Sequence, residues 1–219
     1  MGTPTRQLPR EERRQTILQG AARAFSEGGF AATSMEAIAG AAGITKLILY
    51  RHFDSKEELY RSVIEDVETL LAEEFAGSLA RGERDGMTAR AFLNVARENP
   101  DGFRLLWRHS AREPQFSASV ERFRSLATEA AKSLLAPRLP DASLHVWGAE
   151  TLIAFLVEGV LNWLDDGTPA RDDEFVALTT ASLQSMVDAW ARVTVRYPRC
   201  EIRDDPGPGL DAADDPSHP

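Results

Sequence analysis

The sequence has almost no cysteine: a single residue, Cys200, in 219. That excludes an internal disulfide framework and suits a reducing compartment. Alternating β-branched runs are missing, so strands are not expected. No apolar stretch reaches membrane-spanning length without interruption. The most apolar run, Leu152 to Leu164, is broken by Glu158 and Asn162 and reads as a buried helix. The apolar core of a secretory leader is lacking near the N-terminus.

The chemistry of a catalytic or metal centre is lacking too. The four histidines (His52, His109, His145, His218) are scattered, with no acid or cysteine partners at metal-ligand spacing. No glycine-rich loop follows a strand, and no serine occupies a nucleophile elbow. The acid pairs Asp165-Asp166 and Asp172-Asp173 stand at loop ends and helix starts, where carboxylates cap helices. The expectation is a non-enzymatic chain without cofactor or metal.

Basic charge is scarce overall: 25 Lys/Arg face 34 Asp/Glu, a net −9. The distribution is uneven. Residues 1–60 hold 8 Lys/Arg and 7 Asp/Glu, or +1, while residues 61–219 hold the other 17 and 27, or −10. Charges beyond about 8–10 Å are screened at physiological salt, so the acid of the second part does not forbid a nucleic-acid contact by the first.

What is abundant is helix former, and the class is all-α. A chain of this length can bury a sizeable core. Residues 1–8 read as a disordered tail. A first helix follows from Pro9, with Ile17, Leu18, Ala21, Ala22 and Phe25 as its apolar stripe and Gly28-Gly29 as its end. Arg10, Arg13 and Arg14 are either DNA-backbone contacts or solvated surface charge.

Thr33 to Glu58, TSMEAIAGAAGITKLILYRHFDSKEE, organises the rest. Thr33 and Glu36 have capping-box spacing. Met35, Ile38, Ala39 and Ala42 form one face of a two-turn helix, with Ala39 small enough for close approach by a crossing helix. Gly43 suits a turn needing positive φ, Ile44 plugs it, and Thr45 caps a second helix over Lys46–Phe53. Leu49 and Phe53 point inward, leaving apolar, aromatic and basic groups outside. Ser55 and Glu58 start a third helix. Such a surface suits a DNA major groove, but an ordinary helical hairpin carries the same local features.

This stretch resembles the TetR family of transcriptional regulators, over roughly the first 60 residues. The register is carried by Ile38-Ala39, Ala42-Gly43, Lys46, Leu49-Tyr50, His52-Phe53 and Ser55-Lys56-Glu57. It departs at Leu47 and Ile48, where many members have Gly or Pro and then a small or hydroxyl residue. The resemblance implies a DNA-binding unit over residues 1–55, with base edges faced by Thr45, Lys46 and Leu47. Thr33, Ser34, Tyr50, Arg51, His52 and Lys56 complete the contact set.

From Lys56 a stripe of Leu59, Val63, Val67, Leu70, Leu71, Phe75 and Leu79 predicts a helix of about 24 residues, some 36 Å long, leading out of the first unit. Five further helical segments fill residues 56–197: Met87–Asn99, Phe103–His109, Gln115–Leu135, a helix to about Asp165, and a last one to about Val195. The last two are so apolar that they form either a larger core within one chain or an interface with a second copy, through Leu144–Asp165 and Asp173–Val195; the family resemblance implies the second copy. Residues 198–219, with five prolines and six acids, read as a disordered acidic tail.

Aromatic groups of the second unit are either core packing or the lining of a small-molecule pocket between helices, and the family resemblance implies a pocket on the segments that hold Trp107, His109 and Trp147. Phe103, Trp107, His109, Trp147 and Phe155 are the candidate contacts, with Asn94, Arg104, Glu150 and Asn162 as polar ones. The overall expectation is a cytoplasmic, nucleoid-associated homodimer. It would repress from a palindromic operator on double-stranded DNA until an apolar or amphipathic effector releases it. The alternatives are a DNA-binding adaptor whose second unit binds a protein, or an all-α enzyme or lipid carrier.

Overall fold

The computed structural model describes residues 9–82, 86–109 and 113–196. The two tails and Cys200 lie outside the described residues. Nine α-helices, and no strand, are found among them.

Helix α1 (Arg10–Ala32) carries Glu11 and Glu12 in its first turn, where they favour the helix dipole. Gly29 breaks it at φ 71°, ψ 165°. The break returns Phe30 onto the helix, where it stacks on Phe25 at 5.9 Å and meets Tyr60 edge-on at 5.4 Å. Helices α2 (Met35–Ala41) and α3 (Lys46–Tyr50) follow, then α4 (Lys56–Ala80). The second helix is shorter than the expected Lys46–Phe53: beyond Tyr50 it loosens into a turn, from which Phe53 still reaches the core.

With 25 residues, α4 spans about 37 Å. It starts against α1 and continues along α5 (Met87–Glu98). Leu59, Tyr60, Val63, Ile64, Val67 and Leu71 bury its inner stripe, while Leu79 is exposed.

Pro100 begins a helix between the expected segments Met87–Asn99 and Phe103–His109. Asn99 is buried and its Oδ1 accepts from the Gly102 N–H at 2.9 Å, capping α6 (Pro100–Arg104). Proline at the first helical position gives up an N–H that had no helical partner anyway. The chain then widens into a π turn, Leu105–His109. Helices α7 (Ser117–Leu135), α8 (His145–Asp166) and α9 (Asp172–Arg196) complete the fold, with α7 packed along α8.

One apolar core runs from Ile17 and Phe25, through Tyr60 and Val67, to Phe103, Val160 and Phe175. It does not stop at residue 55. Helix α1 packs directly on α6 and the π turn as well as on α4. A smaller cluster joins Leu135, Ala149 and Val187.

Asp172 ties three helices together at the start of α9. It accepts two bonds from Arg97, at 2.9 and 3.1 Å, and one from Trp163 Nε1 at 2.7 Å. The bonds from Arg97 come first among the effects that hold its carboxyl below the ordinary carboxylate pKa.

Helix α8 is not buried on all sides within one chain. Leu156, Val157, Val160 and Leu161 are core, but Trp147 is 50% exposed and Phe155 41%. On α9, Leu178 and Val193 also face outward. The segment Ala142–Asp166 has the length and apolarity of a membrane span, with mean hydropathy 1.4, so composition alone does not set it apart from one. Its packing is that of a core helix with one apolar face uncovered.

Candidate nucleic-acid interface

The α2–turn–α3 unit is held by local hydrogen bonds that the residue types specify. The N-cap of α2 is Ser34, whose Oγ accepts from the Ala37 N–H at 3.1 Å. Thr33 had been expected in that role. It is instead buried, and its hydroxyl donates to the carbonyls of Gly29 at 2.7 Å and Ala24 at 3.0 Å. Its side chain faces the end of α1 and leaves the outer surface.

Gly43 takes φ 65°, the left-handed conformation a sharp turn requires. The Ile44 N–H donates to the Ala39 carbonyl at 3.0 Å. Thr45 Oγ1 accepts from the Ile48 N–H at 3.3 Å, capping α3. Ser55 Oγ accepts from the Glu58 N–H at 3.1 Å, and Glu58 reaches back to the Asp54 N–H at 2.7 Å.

Ala39, where a close helix crossing was expected, is buried, and a tight approach by α1 lies one turn further on. Gly20 of α1 lies against Ala42 so tightly that a methyl placed at Gly20 would sit 2.6 Å from the Ala42 Cα. Leu49 and Phe53 are locked into the core beneath α3. The outer face of α3 is thereby fixed: Thr45, Lys46, Leu47, Tyr50 and Arg51 are exposed, Leu47 at 64% and Tyr50 at 45%. Ile48 and His52 are half-buried.

Lys46 is not a free cation in this state. It pairs with Glu36 of α2, across the turn, and its ammonium lies 5.7 Å from the centre of the Tyr50 ring. The hydrogen bond between them is the largest cause that lowers the Glu36 pKa and raises that of Lys46. Sequence reading placed Glu36 in a capping box and missed this partner.

Lys56 points the other way from the expected phosphate contact. Its Nζ donates to the carbonyls of Phe30 at 2.7 Å and Thr33 at 3.0 Å, and sits 4.3 Å above the Phe30 ring. It closes the C-terminal end of α1, where carbonyls lack helical partners and a cation is favoured. Cation and carbonyls are more than 20 residues apart, so no local pattern reveals the contact.

A basic face left open by the sequence converges on His52. Arg10, Arg13 and Arg14 all act on its imidazole, and Arg14 also stacks over Phe53 at 5.1 Å. Partial burial is the first cause, and these three guanidinium groups the next, that lower the His52 pKa below its ordinary value near 6.5.

The expected ligand contacts do not share one site. Phe103 is fully buried beside Trp107, at 6.3 Å between rings. Trp147 packs on Trp190 at 4.8 Å, and Phe155 faces outward nearby on α8. The His109 side chain lies outside the described residues. Asn94 bonds Glu74 and Arg104 bonds Asp165. Of the expected residues, only Trp107 and Glu150 line a groove of about 560 Å³ between α7 and α8.

Comparison with known proteins places this geometry. The model for bacterial regulatory proteins of the tetR family matches residues 17–63. The HTH-type transcriptional activator FasR of Mycolicibacterium smegmatis is 30% identical over 178 residues, covering 77% of this chain and 80% of that protein. The nucleoid occlusion factor SlmA of Actinobacillus pleuropneumoniae is 30% identical over 130 residues, covering 55% of this chain and 64% of its own. A TetR-like transcriptional regulator from Rhodococcus sp. RHA1 superposes with a TM-score of 0.67 at 24% identity, covering 87% of this chain and 100% of that one, which speaks to the fold.

Proposed function

Because the chain belongs to the TetR family of bacterial regulatory proteins and is a DNA-binding transcriptional regulator, we propose that two copies grip a palindromic operator, each with its α3 in one major groove. Residues 1–55 form the reading unit and residues 56–197 the dimerisation and effector unit. The observation that carries this is the split of α3: Leu49 and Phe53 are locked beneath it, while Thr45, Lys46, Leu47, Tyr50 and Arg51 stand outside.

Thr45, Lys46 and Leu47, at the N-terminal end of α3, face base edges. Leu47 offers an apolar surface suited to a thymine methyl. Ser34, Tyr50, Arg51 and His52 hold phosphates, joined by Arg10 and Arg13 from α1. Thr33 and Lys56 support this surface from behind. To reach DNA, Lys46 exchanges Glu36 for a base or phosphate, an affordable exchange because solvent screens an exposed ion pair.

The uncovered faces of α8 and α9, including Trp147, Phe155 and Leu178, meet their counterparts across a two-fold axis. An effector bound between helices of the second unit tilts α4, the rod that starts against α1 of the reading unit, and alters the spacing of the two α3 helices. Only an effector that binds the two spacings with different affinity can do this. Operator occupancy is then under ligand control. It represses where the operator overlaps a promoter; the relative from M. smegmatis is named an activator. The groove beside α8 is open rather than sealed, which supports a small-molecule effector over a protein-binding adaptor.

The test is operator binding by Tyr50→Ala. Loss of affinity supports the docking; unchanged affinity removes Tyr50 and with it this face of α3. A light-scattering mass of one chain at micromolar concentration contradicts the dimer.

A further inference from the structure

The groove between α7 and α8 has a character that composition does not reveal. Its deep wall is apolar, formed by Trp107, Ile153 and Val157. Its rim is acidic, with Glu121 and Glu129 on α7 and Glu150 and Glu158 on α8, against the single cation Arg124. Lining charge is therefore four carboxylates against one guanidinium. Two of the four are engaged: Lys132 donates to Glu129 at 2.7 Å, and Arg108 to Glu158 at 3.2 Å. Among the described residues, Glu121 and Glu150 have no ion-pair partner. They belong to facing helices, so both act on whatever enters between them.

The Trp107 indole is the second observation. It is packed among Phe92, Phe103 and Phe123 at 5.8–6.3 Å, yet its Nε1–H is buried without an acceptor among the described residues. An unpaired buried donor is costly. The ring is held at the groove wall by its aromatic neighbours and not by a hydrogen bond, and it lends the groove an aromatic lining of the kind that accompanies bound cations.

We propose that this groove binds an organic cation, its hydrophobic body against Trp107, Ile153 and Val157 and its positive charge at the Glu121–Glu150 rim. The inference rests on the reading that the second unit takes a small effector, and it names that effector's class. A volume of about 560 Å³ fits a drug-sized molecule. An anion of the same shape meets uncompensated carboxylates. A cation meets an opposite charge on both sides, from two exposed carboxylates whose attraction is screened by salt, while its body covers the apolar wall.

Tetraphenylphosphonium and tetraphenylborate are matched probes: the same shape and apolar surface, opposite charge. Binding of each to the full-length protein is measured by titration calorimetry at low ionic strength. The phosphonium is expected to bind at least about tenfold more tightly than the borate, and added salt narrows the gap. The double substitution Glu121→Gln/Glu150→Gln should weaken the phosphonium about tenfold, with an unchanged unfolding temperature showing that the fold is intact. Equal or tighter binding of the borate, no binding of either, or an unaffected double variant overturns the proposal. Operator release is scored separately. Phosphonium that binds but leaves the operator complex intact upholds the cation site while refuting its effector role. Release by borate through the same groove refutes the cation site and leaves effector control standing.

Discussion

Gly20 sits where two opposing effects of known size meet, and the structure decides between them. Replacing a helix-interior glycine by alanine ordinarily stabilises by about 0.8–1 kcal/mol, because the backbone loses less freedom on folding. At Gly20 the added methyl would lie 2.6 Å from the Cα of Ala42 and 2.7 Å from its N and Cβ. These are mainly backbone atoms of the turn into α3, and no rotamer change moves them aside. Helix α1 must retreat by about 1 Å, parting the contact that positions the reading helix. Overpacking of this kind costs about 1–3 kcal/mol, and contact with backbone places it at the upper end. The expected net loss is about 2 kcal/mol, or about 4–8 °C in unfolding temperature for a chain of this size. Gly40 is the internal control: it lies in α2, and a methyl there meets nothing within 4 Å. Gly40→Ala should be neutral or stabilising by up to about 1 kcal/mol. Thermal unfolding of both variants, followed by circular dichroism, is the assay. If Gly20→Ala proves as stable as Gly40→Ala, the tight crossing of α1 over the turn is refuted.

Two lysines separate by role. Lys46→Ala should reduce the slope of log operator affinity against log salt by about one, whereas Lys56→Met should leave the slope unchanged and lower stability by about 1–2 kcal/mol through loss of the α1 cap. Asp172→Asn should cost about 1.5–3 kcal/mol at neutral pH, since it removes the charge that holds Arg97 and Trp163. The Asp172 pKa is depressed in the fold, so the wild-type advantage is present above the ordinary value of 3.8 and is lost as pH falls through the folded-state value; urea midpoints for both proteins should converge there. His52 is the reverse case: its folded pKa lies below 6.5, the unfolded chain takes up the proton first, and wild-type stability should fall as pH drops below about 6.5. A chemical-denaturation pH series on His52→Gln should lack that decline.

What was legible in the sequence was local. Gly43, Thr45 and the Ser55–Glu58 cap act within four residues, and the structure realises each where the spacing placed it. Leu49 and Phe53 followed from helical period and are buried. The readings that shifted depended on distant partners. Thr33 looked like a cap until its hydroxyl found Ala24 and Gly29, and Lys56 looked like a phosphate contact until it found the end of α1. Glu36 illustrates the same limit. It lies ten residues from Lys46, and only the turn at Gly43 brings the two together. On the ligand side, the expected aromatic contacts are spread over the second unit, and of them only Trp107 lines the groove between α7 and α8. Trp147 and Phe155 are exposed on α8, off the groove that Glu150 and Ile153 line, and one-dimensional spacing cannot say which face of α8 meets α7 and which stays uncovered.

The central claim is that the outer face of α3 reads DNA, and a nuclease footprint on genomic fragments retained by the protein tests it most directly. The account predicts a protected site with two-fold sequence symmetry, its half-sites about one helical turn or more apart, and loss of that protection in Lys46→Ala/Tyr50→Ala while the folded helical spectrum is kept. Protection without symmetry, or protection undiminished in the double variant, would contradict it.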